Sequence, residues 1–177
     1  MKKKILTLIT IILLVSLLGC SGGNTYKVSD SAVKYKFNKN NLLSLISITV
    51  DTDKVVYEFN AKSEICKTIE QNDFDCCIED ENGILNDYNN WSYQKKGSKG
   101  YLCVECEDID RIKKDMRIWG TDDCFTIRGF ENPVIYIFTY KDPDWYSVLY
   151  TQEYDSDIRK WGEIKTDGVK DPNTVDI

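Results

Sequence analysis

Seven cysteines, 29 carboxylates, eleven tyrosines and four tryptophans are the residues with chemistry to offer in this 177-residue chain, and no histidine stands among them. That absence removes Ser-His-Asp triads, Cys-His pairs, imidazole acid-base catalysis and histidine metal ligands. Thiols, carboxylates and aromatic rings remain. Six cysteines, Cys66, Cys76, Cys77, Cys103, Cys106 and Cys124, lie in the polar body of the chain. An even set in an exported protein predicts disulfides. Cys103-Val104-Glu105-Cys106 has the spacing of a zinc knuckle or a redox dithiol, and both uses require the two sulfurs to converge. Tyr101 to Glu107 reads as extended, however, and residues three apart on a strand point to opposite faces. No shared metal is therefore expected there. Cys76 and Cys77, as neighbours, face opposite sides by the same logic. The expectation is one or two disulfides joining the strand of Cys76 and Cys77 to that of Cys103 and Cys106, with Cys66 or Cys124 as further partners. Each would contribute about 2–4 kcal/mol. The alternative is that several are buried thiols packed as small hydrophobes.

The acidic clusters, among them Asp51 with Asp53, Glu105 to Asp110, Asp142 with Asp144 and Asp155 with Asp157, lack the glycine and distant glutamate of an EF-hand loop. They read as solvated turns, and no metal ligand is assigned. A glycosidase needs only two carboxylates at a set separation, but no signature singles out a pair. Several aromatics flank turns. Trp145, directly after Pro143-Asp144, is the candidate exposed ring for stacking on a sugar or a protein surface, with core packing as the competing role.

The N-terminus states most about location. Lys2, Lys3 and Lys4 precede an apolar run from Ile5 to Leu18, too short against the ~20 residues of a permanent span and suited to a cleaved signal. It ends in Leu17-Leu18-Gly19-Cys20, which resembles the lipobox of bacterial lipoproteins, although Leu18 holds a position where that family more often has a small or β-branched residue. The resemblance covers about the first 23 residues. It implies cleavage before Cys20, a diacylglyceryl thioether on Cys20, and attachment to the outer side of the cytoplasmic membrane. Two acyl chains hold a protein stably by themselves. Removing residues 1–19 takes away three lysines and no acid, leaving 20 cations against 29 anions. So acidic a body repels nucleic acid. No cofactor is expected beyond the lipid on Cys20.

Strands must position whatever the body carries. Leu45 to Val50 and Lys54 to Phe59 flank Asp51-Thr52-Asp53; Asp75 to Glu79 and Ile84-Leu85 flank Asn82-Gly83; Trp91 to Lys95 and Tyr101 to Glu107 flank residues 96–100; Val134 to Tyr140 and Trp145 to Gln152 flank Lys141-Asp142-Pro143-Asp144. Four hairpin signals with β-branched and aromatic bias predict a mainly β chain, a single sandwich-like or barrel-like antiparallel domain with minor short helices. The alternative is α+β. A short helix is expected behind Ser63, another turn over Ile158 to Ile164, and Ile109 to Trp119 fits either a helix face or a strand ending at Gly120. The expected organisation is a signal peptide over 1–19, lipidated cysteine and tether over 20–30, a globular domain over 31–166 and a polar tail over 167–177.

Together these features predict a lipid-anchored binding module of the cell envelope, without catalysis, whose partner beyond the membrane is an envelope protein or a cell-wall glycan. Two other readings are a small carboxylate-dependent envelope hydrolase and an inhibitory lipoprotein resembling the immunity type.

Overall fold

The computed structural model describes residues 26–71, 74–79, 85–87, 91–106, 109, 115–120, 123–141 and 146–169. Strands β1 (Val33–Lys36), β2 (Leu45–Val50) and β3 (Lys54–Asn60) open the domain, followed by helix α1 (Glu64–Glu70). Then come β4 (Phe74–Glu79), β5 (Leu85–Asp87), β6 (Trp91–Lys96), β7 (Lys99–Glu105), β8 (Asp115–Gly120), β9 (Asp123–Arg128), β10 (Val134–Lys141), β11 (Tyr146–Asp155), β12 (Lys160–Trp161) and β13 (Lys165–Val169). They form two antiparallel sheets. The smaller has the order β1-β2-β3-β7-β6; the larger runs β12-β11-β10-β9-β8-β4-β5, with β13 beside β12 along the same edge of β11. The mainly β expectation holds, and the arrangement is sandwich-like.

One core lies between the sheets. Val55, Tyr57, Phe59, Leu102 and Val104 from the small sheet meet Met116, Ile118, Phe125, Ile127 and Ile135 from the large one, all buried. Alternation produces this, since every second residue of each strand faces inward. β2 departs from it. Its register slips between Leu45 and Ser47, so Leu45 and Ile48 both enter the core and Ile46 stays half-buried, whereas unbroken alternation would put Ile46 on the same face as Ile48. Such a bulge re-aims side chains at the end of a strand.

All four expected strand pairs form, and the expected turns at Asn82-Gly83 and Pro143-Asp144 lie outside the described residues. The β6–β7 turn is tighter than expected, only Gly97 and Ser98, with Gly97 at φ 59°. α1 begins after Ser63, which has the extended backbone of a cap but makes no capping hydrogen bond. The helix sits close to both sheets. A Cβ on Gly100 would meet Cys66 Sγ and the Tyr93 hydroxyl at 2.6 Å, and one on Gly120 would meet Thr68 Cγ2 at 2.7 Å. These two glycines let the backbones of β7 and β8 pass beside the helix and its neighbours.

One open alternative resolves to a strand, and one local expectation gives way. Met116 to Gly120 lies in a strand, because its apolar residues alternate into the core as Met116 and Ile118, with Arg117 on the other face. Ile158 to Ile164 is not helical: Lys160–Trp161 pairs with the end of β11, and Asp155 Oδ1 accepts the amides of Asp157 and Ile158, which closes a turn there. β13 carries ordered structure to Val169, past the boundary expected at 166, by pairing with Ser147 to Thr151.

Candidate functional site

The strongest concentration of polar chemistry surrounds β1. Residues 26–32 form an arm laid over the outer face of the small sheet. The Tyr26 hydroxyl donates to the Ser92 carbonyl at 2.9 Å, and the Ser29 amide and hydroxyl donate to the two Asp51 oxygens at 2.8 and 2.5 Å. The Ser29 bonds hold the Asp51 carboxyl below its ordinary range. Beneath the arm is a cavity of about 130 Å³, bordered by Tyr26, Ser29, Lys34, Thr49, Glu58 and Tyr101.

Glu58 is the unusual member, only 3% exposed. Alternation along β3 turns it away from the core, onto the face that the arm covers. Its Oε2 accepts Ser47 Oγ at 2.9 Å and Lys34 Nζ at 3.1 Å, and its Oε1 pairs with Lys99 Nζ at 2.5 Å. Burial opposes the charged form, but Lys99, Ser47 and Lys34 outweigh it and keep the carboxyl below the usual glutamate range. The group is thus an ion-paired anion, unlike the raised carboxyl of a general acid.

On the other side of β1 a groove of about 500 Å³ runs along the strand edge, bordered by Lys34 to Phe37, Glu131, Tyr154, Ser156 and Arg159. Its aromatic wall is packed ring against ring. Phe37 meets Tyr154 edge-on with ring centres 4.9 Å apart, Tyr154 meets Trp161 at 5.1 Å, and Trp161 Nε1 donates to the Asn38 carbonyl at 2.8 Å. The lip is built too: the Ser156 amide donates to Asn132 Oδ1 at 2.8 Å, and Arg159 has φ 53°. That left-handed backbone favours glycine or asparagine, so an arginine there carries a local conformational cost.

The cysteines do not pair as expected. Cys66, Cys103, Cys106 and Cys124 are all buried thiols. Their positions explain the correction: Cys103 lies on the outer face of the small sheet beside Val56, Cys124 on the outer face of the large sheet beside Phe138, and Cys66 and Cys106 within the central core. Facing sheets stand about 10 Å apart, beyond the reach of a disulfide between outer faces. Cys103 and Cys106 diverge as the strand reading predicts. Burial pushes the Cys103 thiol up to about 11, with Glu105 adding to it, and burial also raises Cys66, which lies against Ser63 and Tyr93. These are poor nucleophiles. Cys76 and Cys77 occupy β4, in the other sheet from β7, and their side chains lie outside the described residues, as do Cys20 and Trp145. Among the described residues no three Cys, Asp or Glu converge as a metal site, and no helix is long and apolar enough to cross a membrane.

Sequence reasoning passed over Glu58, Lys34, Lys99 and Arg159. Glu58 sits in Val55-Val56-Tyr57-Glu58-Phe59 at a position that alternation assigns to solvent; nothing local signals that a distant arm covers it. Arg159 carried a faint signal, as a non-glycine at the end of the turn-forming Asp155-Ser156-Asp157-Ile158. Comparison with known proteins finds no matching family model, no similar curated protein and no similar solved structure.

Proposed function

We propose that this chain is a lipid-anchored, extracytoplasmic binding module of the cell envelope that works without catalysis. The observation that carries the reading is the lysine-flanked apolar segment closing in Leu17-Leu18-Gly19-Cys20, with a diacylglyceryl group on Cys20 as the anchor. The arm adds a spatial consequence. Tyr26 is tied to Ser92 only six residues after Cys20, and six residues reach about 20 Å at full extension. The small sheet therefore stays close to the bilayer surface, with its polar cavity and the β1 edge. Binding is favoured over hydrolysis because the buried carboxylate nearest the cavity, Glu58, is held in its charged form by Lys99, Ser47 and Lys34.

The test is metabolic labelling. Cys20→Ala is expected to abolish incorporation of labelled palmitate and to move the chain out of the membrane fraction. Labelling that persists in that variant refutes the anchor.

A further inference from the structure

We infer that the open edge of β1 receives an extended acidic segment of a partner protein as an added strand. This deepens the binding-module reading, on which it rests, by naming the partner's chemistry.

Three observations converge on the edge. The first is backbone availability. The Phe37 amide donates to the Ile46 carbonyl at 2.8 Å, and the register pairs Tyr35 with Ile48 and Val33 with Val50. Antiparallel alternation then aims the backbone of residues 33, 35 and 37 at β2, and the amides and carbonyls of Lys34 and Lys36 at the open side. Among the described residues β1 pairs with β2 alone. A row of such groups is what strand addition uses.

The second is charge. Lys34, Lys36 and Arg159 border the groove against one acid, Glu131, in a chain whose formal charge is −6. Lys34 is shared with Glu58, whereas Lys36 and Arg159 make no ion pair among the described residues. A cationic strip on an edge selects an anionic segment over a cationic one. Pairing β1 with β1 of a second copy would set these lysines against each other, so a second copy is disfavoured.

The third is the lip. Asp155 and Asn132 fix the turn that leads into Arg159, and Arg159 has a left-handed backbone that glycine would adopt more easily. Lysines on an edge strand also serve simply to prevent aggregation. That role would not call for an arginine held in an unfavourable conformation across the groove.

The experiment uses the full chain in detergent micelles and a pool of short synthetic peptides. Their alternate positions carry either Asp and Glu or Lys and Arg, with β-branched residues between. Acidic members should be enriched, and their affinity should fall about tenfold or more in Lys36→Pro, which removes an outward amide while sparing the bonds to β2. Arg159→Gly should weaken binding while leaving the fold at least as stable, so misfolding cannot account for the loss. N-methylation at alternate peptide positions should abolish it. Recovery of basic or charge-neutral peptides overturns the inference. So does polyphosphate competing fully while Lys36→Pro leaves peptide binding unchanged, because that marks a site for anionic polymers. Self-association that Lys36→Pro abolishes also overturns it, naming a second copy as the occupant. Because the micellar chain needs no membrane, loss of palmitate labelling and loss of peptide binding report separately on the anchor and on the edge.

Discussion

The outer face of the small sheet buries Ser47, Val56, Glu58 and Cys103, whereas the outer face of the large sheet buries Cys124, Thr126, Phe138 and Leu149. Both faces arise from the same alternation, and both are shielded from solvent. The large sheet keeps a mostly apolar cluster there, with Tyr136 packed at its margin. The small sheet keeps a carboxylate under an arm, with two lysines and a serine needed to hold it. Apolar residues would close that face at less cost, because a buried ion pair rarely beats well-packed hydrophobic residues of similar volume. The polar face is thus the one whose composition stability alone does not explain, and it adjoins the edge assigned to binding.

The largest effect tests the layer that both faces share. Phe125→Ala removes a ring that is 2% exposed in the central core and should lower stability by about 3–5 kcal/mol in urea unfolding. Phe138→Ala, equally buried but in the three-residue outer cluster, should cost less, because fewer buried neighbours line the cavity it leaves. Equal losses would mean the outer cluster is as well packed as the core, and the contrast drawn here would fail.

Next in size is the charge on the polar face. Removing both lysines, Lys34→Ala with Lys99→Ala, strands the Glu58 carboxylate in a buried site and should cost about 3 kcal/mol. Glu58→Ala should cost less. Both lysine side chains are nearly half exposed and can turn to water once the acid is gone. A larger loss from Glu58→Ala than from the double lysine variant would break the account of that face.

How far these features could be read beforehand depends on their range along the chain. The β2–β3 hairpin was legible because Asp51-Thr52-Asp53 and the flanking alternation are local. The divergence of Cys103 and Cys106 was legible for the same reason: it needs only strand geometry. The partition of strands between sheets was not. β3 finds β7 and β4 finds β8 each across more than thirty residues, pairings that no local pattern encodes. Ile109 to Trp119 stayed ambiguous because its apolar spacing serves either period, and only the neighbours β4 and β9 select strand for its second half. The expected disulfides failed likewise, since cysteine count carries no information about which face each strand turns outward.

The arm that closes the polar face should be weakly pH-dependent. Asp51 accepts both Ser29 bonds, so its carboxyl is lowered from 3.8 in the folded chain. A lowered acid contributes its full stabilisation above its unfolded value and loses it as pH falls through the folded one. Protection of the Ser29 amide against hydrogen exchange should therefore hold above about pH 4 and fade below it. In Asp51→Asn that protection should be reduced above about pH 4 and lose its pH dependence, with global stability little changed. An amide equally protected in the variant would show that other contacts hold the arm.

The smallest pair of effects should differ in sign, which makes it the finest test of the contrast. Thr126 is fully buried on the apolar face, and its Oγ1 has no hydrogen-bond partner among the described residues. Ser47 is 1% exposed on the polar face, and its hydroxyl donates to Glu58 at 2.9 Å. Thr126→Val replaces a desolvated, unsatisfied hydroxyl with a methyl group of matching shape and should raise stability by about 1 kcal/mol. Ser47→Ala deletes a donor to a buried charge and should lower it by about 1.5 kcal/mol. Urea midpoints for the two variants, at unchanged slope, read this directly. If both hydroxyls prove dispensable, Glu58 is held by its lysines alone and the serine is only filling space. If both prove necessary, Thr126 has found a partner, and the outer face of the large sheet is less apolar than its cluster implies.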